Sequence, residues 1–596
     1  MTSTAAFFAA VLLMLFVASP AAAQYSATFH TSPIGTGTAC TEAAPCDLLT
    51  ACGFAVEDSL ITLVQGTYSL YNNTCVINAA NVTIQGADTP RSEVEGWGVI
   101  FYFEEAPFTM SAVYLVDQSS DYSYHGLVHA PSLVLASNTA YTFSFTDVSG
   151  EMTNAAGLVT IVADAASGTG ASMNVLIRGS FGTGDGYGYF FNITSEAEGV
   201  DTAVSLTESS FDSLTSSIIN VMTDTISLVE IVDVQVTTFS GSEIARILSS
   251  DNELAGGACV VDSVTLSGAG VNNGNGQLFN FWGCSTTNVT DFIGNDVSGS
   301  WVFSISGSNV NVDNVGMAGG NIASGVFSLS PYEGLNAFLR GLDFSAGTYG
   351  NVVNLLSLSE DDTDVPYITM EDITANDSYL GLADVWAGSL VLSNFAVTNC
   401  TAAYSIDSFF YLSDPRLAIV SNGNFTLCDT SEFVTLGVSS ADASLTNFTN
   451  VDFGATKNIQ NYITISPSQS TANNATLYVT DCSFAGGEDF VNTIIQCSNS
   501  DIDSDDRFDV YVSDSDCDID SVILAKGNAY DGNGSCNIDV DSASNCSQAG
   551  RKWILSTIII LVAGGLLLLI AVVVIAAVIV RKRRRMSYDT MAGPDE

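Results

Sequence analysis

Basic residues are scarce in this chain: 15 Lys and Arg stand against 64 Asp and Glu. Five of the 15 form Arg581-Lys582-Arg583-Arg584-Arg585, so Gln24 to Lys552 holds 61 acids against ten bases, a balance of about −51. A surface of that sign repels nucleic acid and anionic membranes, and favours Ca²⁺ or basic partners. Helical patterning is also lacking. No apolar period of 3.6 runs for a useful length, and 51 glycines are too many for a helical domain. Long apolar runs are absent away from the two ends, which leaves room for a single membrane span. The shortage of bases does not mean disorder, because aromatic and β-branched residues are plentiful throughout.

What is present at the ends sets a topology. "MTSTAAFFAAVLLMLFVASPAAAQ" has an apolar stretch through Val17 and then Ala21-Ala22-Ala23. This reads as a secretory signal peptide cleaved before Gln24. Trp553 to Val580 holds no charged residue and is long enough to cross a bilayer with some tilt. The basic cluster follows at once, placing the last residues in the cytosol, while Trp553 suits the outer interface. The expectation is a type I, single-pass protein with its N-terminus outside, at the plasma membrane or in endomembranes.

Thirteen cysteines in a secreted context read as disulfides. Cys40, Cys46, Cys52 and Cys75 cluster early, where three connectivities are open. Cys259/Cys284 and Cys400/Cys428 are each about one repeat apart and could bridge neighbouring coils; Cys482, Cys497, Cys517 and Cys536 complete the candidates. The odd thiol is assigned to Cys546. Candidate N-glycan acceptors are Asn72, Asn81, Asn192, Asn288, Asn376, Asn399, Asn424, Asn447, Asn474, Asn533 and Asn545. All precede the expected span.

Between the ends the chain repeats itself. "WVFSISGSNVNVDNV", Trp301 to Val315, is two short alternating runs split by Ser-Gly-Ser-Asn. A first ladder reads apolar-apolar-polar-apolar: FFNI at Phe190, IINV at Ile218, LFNF at Leu278, VFSI at Val302, VFSL at Val326, LLSL at Leu355, FVTL at Phe433 and YITI at Tyr462, with FFYL at Phe409 a fully apolar variant. A second ladder sets Asp or Asn beside an apolar residue: Asp233-Val234, Asp291-Phe292, Asn314-Val315, Asp343-Phe344, Asp372-Ile373, Asn394-Phe395, Asn424-Phe425 and Asn447-Phe448. Its spacing is 22 to 30 residues once Asp262 fills the long gap. Along most of the chain its members trail the first ladder by 9 to 14 residues, and that fixed phase argues against coincidence.

Short strands with tight turns at such a period mean stacked units that cannot bury their apolar face alone. The predicted fold is all-β, a parallel β-helix with two or three short strands per coil. It would hold on the order of 18 coils and extend roughly 90 Å at about 4.8 Å per coil. A string of β-sandwiches has overlapping turn spacing but does not predict a sustained ladder.

The segment "GTGTACTEAAPCDLLTACGFAVEDSLITLVQGTYSLYNNTCVINAANVTIQGAD" resembles the start of pectin-lyase-like, right-handed parallel β-helix proteins. The resemblance implies an amphipathic cap helix from Pro45-Cys46 through Ala55, then strands at Leu60 to Tyr68 and Val82 to Gly86. It also implies that lyase and hydrolase chemistry must be weighed. Hydrolases of this kind resembling polygalacturonases carry N-T-D, G-H-G and R-I-K segments, and none occurs here. Asp361-Asp362 and Asp505-Asp506 sit in acidic stretches that read as solvated loops. The lyases use an Arg or Lys base with Ca²⁺-binding acids. The candidates are Arg91, Arg178, Arg246, Arg340, Arg416, Arg507, Lys457 and Lys526, none in a lyase motif, so each is assigned a structural role. His125 and His129 in "HGLVH" lack the Glu of a zincin motif and are not assigned to a metal. Asp501 to Val512 begins like a Ca²⁺ loop but has Asp506 where Gly is needed and Val512 where Glu is needed. Weak Ca²⁺ binding aside, no cofactor is expected.

The resulting reading is 1–23 signal peptide, 24–80 cap and first coils, 81–526 parallel β-helix, 527–552 Cys-containing stalk, 553–580 transmembrane helix and 581–596 cytoplasmic tail. It describes a cell-surface glycoprotein for adhesion or binding of an extracellular protein or glycan. The alternatives are a membrane-tethered polysaccharide lyase or glycoside hydrolase, or a protective coat. In the tail, Tyr588-Asp589-Thr590-Met591 matches the Tyr-x-x-apolar signal read by clathrin adaptors, with Tyr588 and Met591 as its anchors.

Overall fold

The computed structural model describes residues 25–546 and 570–579, apart from 121–122, 165–169, 187, 196–198, 250–256, 272–275, 357–364, 403–407, 439–443, 455–457, 468–474, 486–491, 498–507, 518–521, 527–535, 543 and 545. It falls into two compact units. One is Met1–Leu390 with Ala403–Ser405; the other is Val391–Ala402 with Ile406–Glu596.

In the first unit the fold is a parallel β-solenoid built on three faces. The first face runs through Ala27–Thr31, Ser59–Leu63, Val82–Gln85 and Phe108–Ser111, each paired in parallel with the next. A second face begins at Thr67–Tyr71 and a third at Cys75–Ile77, again with parallel partners one coil on. Connections between parallel strands of one sheet are right-handed in nearly every case, which gives the winding of the family that the opening segment resembles. Alternating side chains then point into the barrel or out of it. Where turns are short, one strand bends through all three faces, as Ser298–Ala318 and Asn321–Ser345 do.

The opening phrase lies inside one coil. Within it, Phe303, Ser304 and Ile305 pair with Phe327, Ser328 and Leu329 of the next coil. Phe279, Phe303 and Phe327 therefore stack along the interior, with ring centroids 5.0 and 5.3 Å apart and nearly parallel planes. All three are fully buried. Burial of roughly 25 cal/mol per Å² of apolar surface drives this stacking, and the aromatic geometry adds to it.

The register corrects the first ladder in one place. Phe327 pairs with Val353 and Leu329 with Leu355, so the coil's member is Val352-Val353-Asn354-Leu355 and not the LLSL that starts at Leu355. Between Phe190 and Phe409 two members were missed, Ile244-Ala245-Arg246-Ile247 and Leu382-Ala383-Asp384-Val385, where Ala in the second position weakens the apolar signal; the ladder also extends back through Leu158-Val159-Thr160-Ile161 and Leu127-Val128-His129-Ala130.

The second ladder has a backbone cause. Asp233, Asp291, Asn314 and Asp372 sit at the turn between the first and second faces with φ of 54, 49, 59 and 56°. This left-handed conformation is open to Asn, Asp and Gly at little cost. The same turn is occupied by Gly341 (φ 65°) and Ser263 (φ 55°), so Asp343 and Asp262 are neighbours of the ladder and not members. Asn314 Nδ2 donates to Asp291 Oδ1 one coil back.

The cap is a single helix, Leu48–Phe54, whose N-cap Asp47 accepts from Thr50 N at 2.8 Å. Leu48, Ala51 and Cys52 are its buried side. It shields the first coil, where strand edges would otherwise lack partners. Cys40 is bridged to Cys46, and Cys52 to Cys75, which ties the helix to the third face; further on, Cys259 is bridged to Cys284.

The second unit repeats the plan. Phe410 pairs with Val434 and Val434 with Ile463, which places FFYL, FVTL and YITI in register. Its turn ladder is Asn394, Asn422 and Asn450 (φ 57, 53 and 55°), so Asn424 and Asn447 lie off it. Asn450 Nδ2 donates to Asn422 Oδ1 at 2.9 Å, and Asn422 Nδ2 to Asn394 Oδ1 at 3.4 Å. Phe425, Phe453 and Phe484 stack along the interior, 5.8 and 5.0 Å apart.

Two cysteine expectations are overturned here. Cys546 is not the odd thiol; it is bridged to Cys517. Cys400 and Cys428 are not bridged to each other; Cys428 Sγ donates to Val397 O at 3.4 Å and Cys400 Sγ to Thr398 O at 3.3 Å. Cys482 is likewise a buried thiol. Both Cys428 and Cys482 point inward, where neighbouring backbone carbonyls accept from them. The side chains of Cys497 and Cys536 lie outside the described residues.

Residues 570–579 are helical and exposed. No helix among the described residues is long and apolar enough to cross a membrane. The rest of the expected span, 553–569 and 580, lies outside the described residues, as do the signal peptide and the tail with Tyr588 and Met591.

Candidate functional site

The polar letter of the first ladder points away from the core, so the third face of the first unit carries one outward residue per coil. The register gives this row as Tyr102, His129, Thr160, Asn192, Asn220, Arg246, Asn280, Ser304, Ser328, Asn354 and Asp384. From Arg246 to Asp384 it spans five coils, roughly 24 Å at about 4.8 Å each.

Larger side chains flank the row. Gln277, Trp301 and Asn351 stand at the strand starts, with Gly325 between the last two in register. Trp282 and Trp386 stand at the strand ends, 53% and 44% exposed. Gly325 is needed beneath Trp301, because a Cβ there would lie 2.6 Å from the indole Cζ3. Three of the chain's five tryptophans thus line one face.

Two hydrogen-bonded groups lie on this floor. Arg246 Nη1 donates to Tyr189 Oη at 3.4 Å, and Tyr189 Oη donates to Glu243 Oε2 at 3.2 Å. Asn280 Nδ2 donates to Glu243 Oε1 at 3.2 Å, while Arg246 Nε lies 3.9 Å from Glu243. Burial pushes the Tyr189 hydroxyl up, and the bond to Tyr189 pushes the Arg246 guanidinium up, so both stay protonated. In the other group, Asp384 accepts from Asn354 Nδ2 at 3.1 Å, Asn351 Nδ2 at 3.4 Å and the Trp386 indole at 2.9 Å. Burial raises the Asp384 carboxyl from its ordinary value, and the Trp386 bond opposes it.

The floor also holds acceptors without donors. Asn220 Oδ1, Gln277 Oε1, Asn280 Oδ1 and Asn351 Oδ1 are buried and have no hydrogen-bond partner. Asn220 is 6% exposed and donates its own amide to Asn192 Oδ1 at 2.8 Å. Buried polar groups are almost always bonded, because leaving one unpaired costs about 1–3 kcal/mol. All four are enclosed beneath the outward side chains, out of reach of a ligand atom.

The residues singled out from sequence fall mostly elsewhere. Arg246 is the one basic candidate on the face, and its partners Glu243 and Tyr189 were missed because no linear motif joins residues two coils apart. Arg178 pairs with Glu208 and Arg340 with Asp313, each one coil away on the first face. Arg91 reaches Ser149 and lies 3.9 Å from Asp147. Lys457, Arg507, Asp361-Asp362 and Asp505-Asp506 lie outside the described residues, as does the Lys526 side chain.

His125 and His129 share the strand Ser123–Val134, with ring centroids 4.5 Å apart. Among the described residues no group of three or more His, Cys, Asp or Glu could hold a metal ion. Within the start-like Ca²⁺ loop only Phe508–Ser513 is described, as a strand. Of the glycan acceptors, Asn72, Asn81, Asn376, Asn399 and Asn424 are exposed, and Asn192, Asn288 and Asn447 are half-buried. Asn474, Asn533 and Asn545 lie outside the described residues.

Fold and face together define a parallel β-solenoid with a polar, tryptophan-edged face. No family model matches the chain, and no curated protein matches its sequence. Among solved structures, pectate lyase Pel9A is similar over 62% of this chain and 80% of its own, at 13% identity and a TM-score of 0.18. The PL6 family alginate lyase AlyGC is similar over 87% and 99%, at 7% identity and a TM-score of 0.14. Likenesses this distant say nothing of activity. The fold statement rests on the strand register.

Proposed function

We propose that the chain is a single-pass, type I cell-surface glycoprotein whose acidic β-helical ectodomain binds an extracellular ligand or mediates adhesion. The observation that carries the binding part is the continuous outward row of the third face, with Trp282 and Trp386 exposed at its strand ends. Solenoids suit this role because stacked coils make a long continuous surface. Supporting the address are the apolar run Trp553 to Val580, the basic cluster after it and the apolar N-terminus.

Catalysis is the weaker reading. Glycoside hydrolases need two carboxyls about 5–9.5 Å apart. On this face Glu243 and Asp384 are five coils, roughly 24 Å, apart. A lyase base must give up its proton near the working pH, whereas Tyr189 and Glu243 keep Arg246 charged.

The test is surface expression of the full chain. Antibody to the ectodomain should label intact cells, antibody to 581–596 should label only permeabilised ones, and glycosidase treatment should lower the apparent mass. Cells so labelled should gain adhesion over untransfected ones. Retention of a soluble product inside the cell, or no gain in adhesion, would overturn the proposal. Tyr588→Ala should raise surface abundance if adaptors read the tail.

A further inference from the structure

We infer that a cavity on the second face, opened by Gly316, seats a lysine or arginine side chain of a basic extracellular peptide. This site lies on a different face from the outward row above and shares with that reading only the extracellular placement of residues 24–552.

A missing side chain makes the cavity. In the outward row of the second face, Thr265, Ile293, Gly316, Asp343 and Thr374 follow one another coil by coil. A Cβ at Gly316 would meet nothing within 4 Å, so the row has a gap between Ile293 and Asp343. The gap opens into a cavity of about 410 Å³, also lined by Asp291, Asn314, Asn295 and Ser345. That volume falls within the range of small-ligand sites, roughly 300–1,000 Å³. The side chains named are exposed or half-buried, so a ligand can reach them.

The lining joins an apolar wall to two carboxylates. Ile293 is 50% exposed on one side of the gap. Lys and Arg bury their aliphatic stems along such a surface while the charged head stays at its polar end. Asp291 stands one coil before Gly316 and Asp343 one coil after, roughly 10 Å apart along the axis at about 4.8 Å per coil. Asn314 Nδ2 donates to Asp291 Oδ1, and Thr374 Oγ1 donates to Asp343 Oδ1. Each carboxylate is thereby oriented, and its second oxygen has no hydrogen-bond partner among the described residues. No Lys or Arg lines the cavity, and Arg340 of the first face is held by Asp313. Ca²⁺ does not fit, because its oxygen ligands must lie about 2.3–2.6 Å from the ion and these carboxylates are too far apart to share one. An anion would be repelled, whereas the net negative charge of the chain draws a basic partner from a distance.

The test is saturation-transfer NMR on the full chain in detergent. The probes are the capped peptide Gly-Gly-Lys-Gly-Gly, its arginine, norleucine and glutamate counterparts, and n-butylamine. The lysine or the arginine peptide should bind saturably, and the norleucine and glutamate peptides should not. Gly316→Ile fills the gap with a side chain for which there is room, and should weaken binding by roughly tenfold or more. Asp291→Asn and Asp343→Asn keep the side-chain shape and remove the charge, and each should weaken it by roughly tenfold. Asp233→Asn, at the equivalent turn two coils before Asp291, should leave it unchanged. Indifference to Gly316→Ile, or an equal loss in Asp233→Asn, would mean diffuse attraction to an acidic surface and overturn the inference. Binding of the norleucine peptide would overturn it too, and butylamine binding as tightly as the peptides would overturn the peptide assignment. Cell adhesion reads the third-face proposal separately: adhesion retained while no peptide binds removes this site alone. Far-ultraviolet circular dichroism of each variant separates loss of binding from loss of fold.

Discussion

Removing the Phe303 ring should loosen three coils at once, two of them about 24 residues away in sequence. Phe303 is fully buried and meets Phe279 at 5.0 Å, Phe327 at 5.3 Å and Phe292 at 5.0 Å. A core Phe→Ala change costs about 3–5 kcal/mol through lost burial and the cavity left behind. Each lost aromatic pair is worth about 0.5–1.5 kcal/mol of that. A figure near 4 kcal/mol follows, or roughly a thousandfold in a local opening equilibrium. In a solenoid, stability is a sum of intrinsic and nearest-neighbour terms, so the loss falls on the mutated coil and its two neighbours. Hydrogen exchange with mass spectrometry on the full chain reads this directly. For Phe303→Ala, protection should drop in Gln277–Trp282 and 321–329 as well as in 298–306, while Ala27–Thr31 keeps its protection. Phe303→Leu should show the same pattern at smaller amplitude. A loss confined to 298–306, or below tenfold, would refute the stacked-coil reasoning.

Gly325→Ala should destabilise the chain by about 1–3 kcal/mol and shift tryptophan emission, since its Cβ would lie 2.3 Å from Asn351 O and 2.6 Å from the Trp301 ring; thermal unfolding followed by fluorescence checks both. His129 is held neutral to about pH 4 by burial and then by His125. Its folded pKa lies below the unfolded 6.5, so the unfolded chain takes up the proton first. Stability should therefore fall as pH drops from about 6.5 to 4, by up to about 3 kcal/mol. His129→Asn should flatten that part of a melting-temperature profile. Burial pushes the Cys428 thiol up to about 12 and the Cys482 thiol up to about 11. Iodoacetamide at pH 8 should leave both unmodified in the native chain and alkylate both once it is unfolded. Arg340→Ala should cost under about 1 kcal/mol in chemical denaturation, because its pair with Asp313 is half exposed.

The repeating fold was legible because two physical demands recur each coil. Inward positions must be apolar, which wrote the first ladder. One turn must take positive φ, which wrote the second. The errors follow from the same causes. The turn is filled by Gly341 and Ser263 in two of the coils, so a search for Asp and Asn slid onto Asp343 and Asp262. Cys400 and Cys428 are one repeat apart as Cys259 and Cys284 are, but repeat spacing fixes only which coil a residue occupies. Whether two sulfurs meet depends on side-chain direction, and Cys428 donates to backbone carbonyls instead.

The outward face was illegible for a related reason. A solenoid face is read across coils, so Tyr189, Glu243 and Asn280, spread over about ninety residues, become neighbours only through register. Outward positions carry no demand from folding, and so no periodic signal beyond being polar. That freedom is also what lets the face differ in chemistry from the rest of the surface. A chain with so few bases places one of them, Arg246, on this face and sets Glu243 beside it. Asp384 adds a second carboxyl to the same face, so the face keeps the acidic sign of residues 24–552.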